Sequence, residues 1–459
     1  MSDTVLPVWP PALPGFGGQV LRPGDASYDE ARVVFNAMID KKPAMIAQCE
    51  SVADVVAAVR YAVGGGHEIA VRAGGHSVAG AGLTNGGVVV DLRRMNSAEV
   101  DPEARTIRVG GGATWSDFDR ACQPYELAAT GGRVSTTGVA GLTLGGGSGW
   151  FERKFGLASD SLLSVDLVTA DGREVTASAD ENPDLFWALH GGGGNFGVAT
   201  SLTFRLHSLP VTTLCVLMWP SERGPEVITA YRDLLEAGQP EELGGGALYV
   251  TGPPEEFVPE HLRGRRCVFA AAMYAGPQAE VLEVFRPMLD LEPEGRLIAE
   301  MPYADLQCAL DDPPGFRNYW SAAHLTSLSE DAVDAFCARA AGMISPSPSQ
   351  QILLPWRGAV ARDAGQWPQP HRDAPWVAHP FGLWADAADD ERGIAWARGL
   401  VADLKPFSTG AVYLNFIGNE GQDRVVAGFG ADNYRRLAAI KGEYDPGNVF
   451  HLNQNILPG

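Results

Sequence analysis

Arg72-Ala73-Gly74-Gly75-His76-Ser77-Val78-Ala79-Gly80 follows directly on Glu68-Ile69-Ala70-Val71, so a buried-strand pattern ends abruptly in a loop that is too glycine-rich to shield its histidine. Gly74 and Gly75 have no Cβ, which lets backbone amides approach a diphosphate closely, and nest-like loops of this kind bind anions. A lone histidine is usually a structural hydrogen-bonder. Spacing alone leaves His76 open between that role and a cofactor contact.

Two further glycine clusters follow. Thr136-Thr137-Gly138-Val139-Ala140-Gly141-Leu142-Thr143-Leu144-Gly145-Gly146-Gly147-Ser148-Gly149 lacks the Lys-Ser/Thr ending of a P-loop, and no GxGxxG stands behind a clear first strand. Ordinary nicotinamide binding is therefore weakly supported. The third cluster is Gly191-Gly192-Gly193-Gly194-Asn195-Phe196-Gly197-Val198. Three such loops ahead of residue 200 fit one long ligand threaded between backbone segments better than they fit chance turns.

Around these loops the pattern is one of short helices and strands. Residues 31–46 read as a helix running into a strand, and residues 51–63 as a helix with Val52, Val55, Val56, Val59 and Val63 on one face. Short strands are expected at 68–72, 88–92 and 106–109, a helix at 115–123, a hairpin over 164–176 turning at Asp171-Gly172, and a strand at 198–206. After Leu209-Pro210 glycine runs thin out. Segments alternating like antiparallel strands are separated by loops such as Asp312-Pro313-Pro314-Gly315. This places a boundary near 207, with the first domain reclaiming the C-terminus.

At 459 residues the chain exceeds what one core usually supports. Thirty-five Lys and Arg against fifty-six Asp and Glu give a net charge of −21, the wrong sign for a nucleic-acid surface. The start, Met1 to Pro11, has no basic segment or apolar run of a signal peptide, and no stretch approaches ~20 uninterrupted apolar residues. Six scattered cysteines contain no CxxC pair. A cytoplasmic, reduced protein without metal, membrane or nucleic-acid partner is the expectation.

The Arg72-to-Ser77 loop, the segment Gly145-Gly146-Gly147-Ser148-Gly149-Trp150 with Lys154-Phe155-Gly156-Leu157 and Asp160 behind it, the run Asn182-Pro183-Asp184-Leu185-Phe186-Trp187 to Val198, and the closing Tyr444-Asp445-Pro446-Gly447-Asn448 to Asn453-Gln454-Asn455-Ile456 together resemble the vanillyl-alcohol oxidase / p-cresol methylhydroxylase flavoproteins, most nearly the berberine-bridge-enzyme-like branch. The resemblance implies an α+β, two-domain FAD-linked oxidase: an α/β flavin-binding lobe (1–207 with 418–459) and an antiparallel-sheet substrate lobe (208–417). It also implies FAD bonded covalently through a ring nitrogen of His76. Where many relatives carry a second attachment through cysteine this chain has Val134, so a single bond is expected. The implied cofactor contacts are Arg72, Ala73, Gly74, Gly75, His76, Ser77 and Gly80; Val134, Thr136, Thr137, Gly138, Gly141, Leu144, Gly145, Gly146, Gly147, Gly149 and Trp150; Gly156, Leu157, Gly197 and Val198; and Tyr413, Asn415, Asn453 and Asn455.

Catalytic groups are expected from the second lobe. Tyr413-Leu414-Asn415 matches a Tyr-x-Asn pattern on a strand, whose period of 2 puts both side chains on one face. The resemblance makes Tyr413 a group that helps deprotonate substrate, and the alternative is a buried tyrosine with a satisfied hydroxyl. Tyr249 is a second candidate. His324 is either a base or a core histidine, and Ile352 stands where some relatives have an acidic base. Trp320, Trp356, Phe381 and Trp384 are candidates for an apolar lining, against plain core. The implied reaction removes hydride from a C–H bond next to oxygen or nitrogen of a small organic molecule, with dioxygen as final acceptor and hydrogen peroxide as product. The alternatives are a flavin-dependent oxygenase or cyclase of secondary metabolism, and a flavoprotein that only binds a ligand.

Overall fold

In the computed structural model, which describes residues 13–362 and 364–459, the first layer forms around helix Val52–Gly64. Ser51 opens this helix with a reciprocal cap: its hydroxyl accepts from Asp54 N at 3.2 Å, and the Asp54 carboxylate accepts from Ser51 N at 3.0 Å. The buried face is Val55, Ala58, Val59 and Ala62, whereas Val63 is 39% exposed. The apolar stripe thus takes in two alanines beside Val55 and Val59 and leaves out Val63. It packs on a four-stranded sheet in the order Gln19–Leu21, Met45–Gln48, Val88–Asp91, Ile69–Arg72, whose last two pairings are parallel.

The helix expected within 31–46 is absent: a short helix Tyr28–Ala31 precedes irregular chain up to strand Met45–Gln48. Asn36 accounts for this, because its buried Nδ2 donates to Val78 O and Asn318 O, both at 3.0 Å, and holds the segment out of helical geometry. Pro43 then favours extended chain ahead of the strand.

A second, five-stranded antiparallel sheet has the order Ala98–Asp101, Thr106–Gly110, Val198–Arg205, Leu162–Val168, Glu174–Ser178. Its hairpin turns at Asp171-Gly172, with Gly172 at φ +76°. Beyond His207–Ser208 lies an eight-stranded antiparallel sheet. Its strands run in the order Gly295–Met301, Thr212–Pro220, Arg266–Tyr274, Leu243–Thr251, Gln350–Pro355, Trp376–Trp384, Arg317–Trp320, and Ala323–Leu325 also pairs with Trp376–Trp384. Helices Gly224–Glu236, Glu330–Arg339 and Asp390–Asp403 bury one face of this sheet. The other face is left for the site.

Helices Gln422–Phe429 and Ala431–Tyr444 bring the chain back to the glycine loops. Lys441, fully buried, donates to Asn195 O and Asp445 Oδ2, both at 2.6 Å, and to Phe450 O at 3.0 Å, so its charge is completely partnered. All six cysteines are unpaired, and among the described residues no helix is long and apolar enough to cross a membrane. The reading of Met1 to Pro11 lies outside the described residues.

Candidate active site

A cavity of about 1270 Å³ runs from the glycine loops to the open face of the eight-stranded sheet. It exceeds the ~300–1,000 Å³ typical of a single small-ligand pocket, leaving room for a long cofactor and a second molecule. Close backbone approach builds its floor. A Cβ on Gly74 would stand 2.3 Å from Gly138 N, and one on Gly138 would stand 2.5 Å from Gly74 N, so neither position accepts a side chain.

His76 faces this space. Its ring stacks on Phe35 with centroids 4.3 Å apart, and Nε2 lies 2.9 Å from Thr136 Oγ1. Although part of the ring reaches the cavity, the surrounding walls enclose it, and this burial lowers its pKa to about 4. The imidazole is therefore neutral at physiological pH. Arg72 beside it donates to the carbonyls of Ala31 and Val33, which fixes the loop to the chain before it.

Of the expected cofactor contacts, Arg72 to Ser77, Val134, Thr137, Gly138, Gly141, Leu144, Gly145, Trp150, Gly197, Asn415, Asn453 and Asn455 line the cavity. Gly80, Thr136, Gly146, Gly147, Gly149, Gly156, Leu157, Val198 and Tyr413 do not. Several of these brace the wall from behind: Leu157 N donates to Asp160 Oδ2 at 2.8 Å, and Arg372 pairs with the same carboxylate. FAD fits the residues present. The loop backbones close into a cradle, and the buried Oδ1 atoms of Asn453 and Asn455 have no hydrogen-bond partner within the protein.

The catalytic candidates separate. Tyr413 does not lie on a strand; it precedes the 3₁₀ turn Leu414–Phe416. Its buried hydroxyl accepts from Gly147 N at 2.7 Å, Ser148 N at 2.9 Å and Asn415 Nδ2 at 2.9 Å. Burial raises its pKa to about 12 against the lowering effect of these donors. The phenol is thus part of the wall, and Asn415, which also donates to Leu142 O at 2.9 Å, is the member of the pair that reaches the cavity.

Tyr249 turns away. On strand Leu243–Thr251 Gly246, Leu248 and Val250 alternate toward the cavity, joined at the strand's end by Thr251, so the period of 2 within the strand sends Tyr249 to the helix-covered face. There its hydroxyl abuts Gly224 and its ring lies 6.2 Å from Phe336. His324 is also outside the lining: buried, 4.7 Å from the Trp356 ring and without a ring hydrogen bond, its pKa is pushed down by burial to about 3. Of the four aromatic candidates Trp320 and Phe381 line the cavity, while Trp356 and Trp384 are core.

Residue-by-residue reading missed three groups. His379 lies two positions before Phe381 on strand Trp376–Trp384, hence on the same face, a period that pointed to it once Phe381 was chosen. Its ring stacks on Phe416 at 4.0 Å, and Nδ1 is 2.8 Å from Ser321 O, an atom that only accepts, so Nδ1 carries the proton and Nε2 the lone pair. Arg133 lies 5.1 Å from the Trp150 ring, contacts Ser148 Oγ at 3.0 Å and pairs with buried Glu152 at 2.8 Å. Asp312, read only as loop texture, lines the cavity with Asp311. Burial, then the Asp311 charge, raises its pKa to about 7.

A family model described as FAD binding domain matches residues 43–178, and one described as berberine and berberine-like matches residues 412–457. (R)-6-hydroxynicotine oxidase of Paenarthrobacter nicotinovorans is 31% identical over 454 residues, covering 96% of this chain and 97% of that protein. The solved structure of 6-hydroxy-D-nicotine oxidase from Arthrobacter nicotinovorans superposes with a TM-score of 0.83 at 28% identity, covering 97% of this chain and 98% of that one. A carbohydrate oxidase from Microdochium nivale shares the fold, with a TM-score of 0.83 at 24% identity over 96% and 98% of the two chains.

Proposed function

This chain belongs to the berberine-bridge-enzyme-like branch of the vanillyl-alcohol oxidase / p-cresol methylhydroxylase flavoproteins, and from that premise we propose an oxidase that carries FAD on His76. Its substrate is a small organic molecule oxidised at a C–H bond next to oxygen or nitrogen. When bound, FAD supplies the two-electron acceptor, which dioxygen restores with release of hydrogen peroxide. The carrying observation is the state of His76: neutral through burial, with Nε2 engaged by Thr136. In the tautomer where Nε2–H donates to Thr136 Oγ1, Nδ1 keeps a lone pair and is the nucleophilic atom.

The loops 72–77 and 132–149, with Asn453 and Asn455, would hold the cofactor. The sheet face with Trp320, His379 and Phe381 would receive substrate. The corresponding division is 1–207 with 418–459 against 208–417, and the buried Lys441–Asn195 bond between the C-terminal helix and the third glycine loop supports it. The test is acid precipitation of the purified protein. The pellet should stay yellow and the His76 peptide should gain the mass of one FAD, whereas colour released into the supernatant would overturn covalent attachment.

A further inference from the structure

Between strands Gln350–Pro355 and Trp376–Trp384 the chain leaves the eight-stranded sheet, and residues 366–372 lie against the glycine loops and the C-terminal helix as a strap. Four ties hold it there. Trp187 Nε1 donates to Gln366 O at 2.8 Å, the Trp367 ring stacks on His190 with centroids 3.7 Å apart, Asn433 Nδ2 donates to Pro368 O at 2.9 Å, and buried Arg372 pairs with Asp160. A strap tied on both sides of one residue gives that side chain a set place.

That residue is Gln369. Its Nε2 donates to Gly145 O at 2.5 Å. A Cβ on Gly146 would stand 2.3 Å from the same nitrogen, and one on Gly191 would stand 2.8 Å from Gln369 Cγ, so Gln369 fills space that two of the glycine clusters leave open. Asn415 approaches the same loop, its Oδ1 2.1 Å from where a Cβ on Gly145 would be. These glycines therefore admit protein side chains, and not only a ligand.

Gly145 and Asn415 line the cavity, whereas Gln369 does not, so the Gly145 carbonyl is held on the side away from the cavity. The other end of that peptide, Gly146 N, donates to Thr143 O at 2.8 Å. Gly146 has φ +111°, and with glycine on both sides the peptide can turn over at little steric cost once the Gln369 donor is gone. Turned over, it would carry the Gly145 oxygen toward the cavity.

We propose that Gln369 is a positioning residue, which holds the Gly145 carbonyl dipole away from the flavin ring, where negative charge develops on reduction. It acts through the Gly145–Gly146 peptide. The proposal rests on the reading that FAD occupies this cavity, and it is independent of how FAD is attached and of what the substrate is.

The test uses sulfite, which adds to oxidised flavin and leaves the ring negatively charged, and reads its dissociation constant from the bleaching of flavin absorption in the FAD-loaded protein without substrate. Gln369→Met keeps the bulk and removes the donor; sulfite should bind about fivefold more weakly, the scale of one lost hydrogen bond, and the flavin reduction potential should fall with it. Gln369→Glu, whose ionised carboxylate cannot donate, should weaken sulfite at least as much and serves if the first variant misfolds. Asn433→Ala loosens the strap without touching the loop, and should lower Tm yet leave sulfite affinity within about twofold of wild type. Sulfite affinity and potential unchanged in the Gln369 variants, or an equal loss in Asn433→Ala, would overturn the proposal. Colour released from the wild type by acid, with the Gln369 effects intact, would instead sink covalent attachment and leave this proposal standing.

Discussion

Replacing Tyr413 by Phe removes one oxygen on which three N–H groups converge. Gly147 N, Ser148 N and one hydrogen of Asn415 Nδ2 all end on this hydroxyl, and the two backbone amides have no other acceptor. An unsatisfied buried donor costs about 1–3 kcal/mol. Three of them, partly relieved by water entering from the cavity, amount to roughly 3–5 kcal/mol, far more than the ~1 kcal/mol of an ordinary buried hydroxyl. The expected phenotype is a fall in Tm of several degrees, reduced FAD content, and flavin reduction that slows in proportion to lost cofactor. Thermal unfolding, flavin absorbance and rapid-mixing reduction on one preparation measure all three. A free base in the cavity would give the opposite pattern: unchanged Tm and full flavin, with reduction slowed ~10²–10⁴-fold. That result would refute the assignment of Tyr413 to the wall.

Tyr249→Phe, altering a group on the helix-covered face, should leave flavin reduction within about twofold of wild type, as read by the same rapid-mixing assay; a hundredfold loss would return Tyr249 to the site. Lys441→Met leaves Asp445 buried without its cation and should destabilise by about 3–5 kcal/mol in denaturant unfolding.

The glycine loops were legible because their requirement is local: close backbone approach admits one residue type, whereas spacing left the histidine among them open and only the family resemblance gave it a role. Strand positions such as Ile69–Arg72 and Val198–Arg205 were legible for the same reason, their apolar runs being bounded by turn residues. What failed depended on distant partners. Asn36 suppresses a helix through carbonyls at positions 78 and 318, which no local pattern records. Tyr249 satisfied a strand pattern, yet which face of the strand meets the cavity is fixed by the helices across the sheet. His324 and His379 are both buried histidines of the same sheet, on paired strands. Only the fold tells that one faces Trp356 and the other the open space.

The tail that contributes Asn453 and Asn455 is tied by Ile456 N to Asn195 Oδ1 at 3.0 Å, so the cradle is shared between residues 72 and 455. During synthesis the loops around His76 emerge long before their last partners. As long as residues 450–455 are still within the ribosome, the nascent chain presents only part of the cavity lining, and the cradle closes only after translation has passed them.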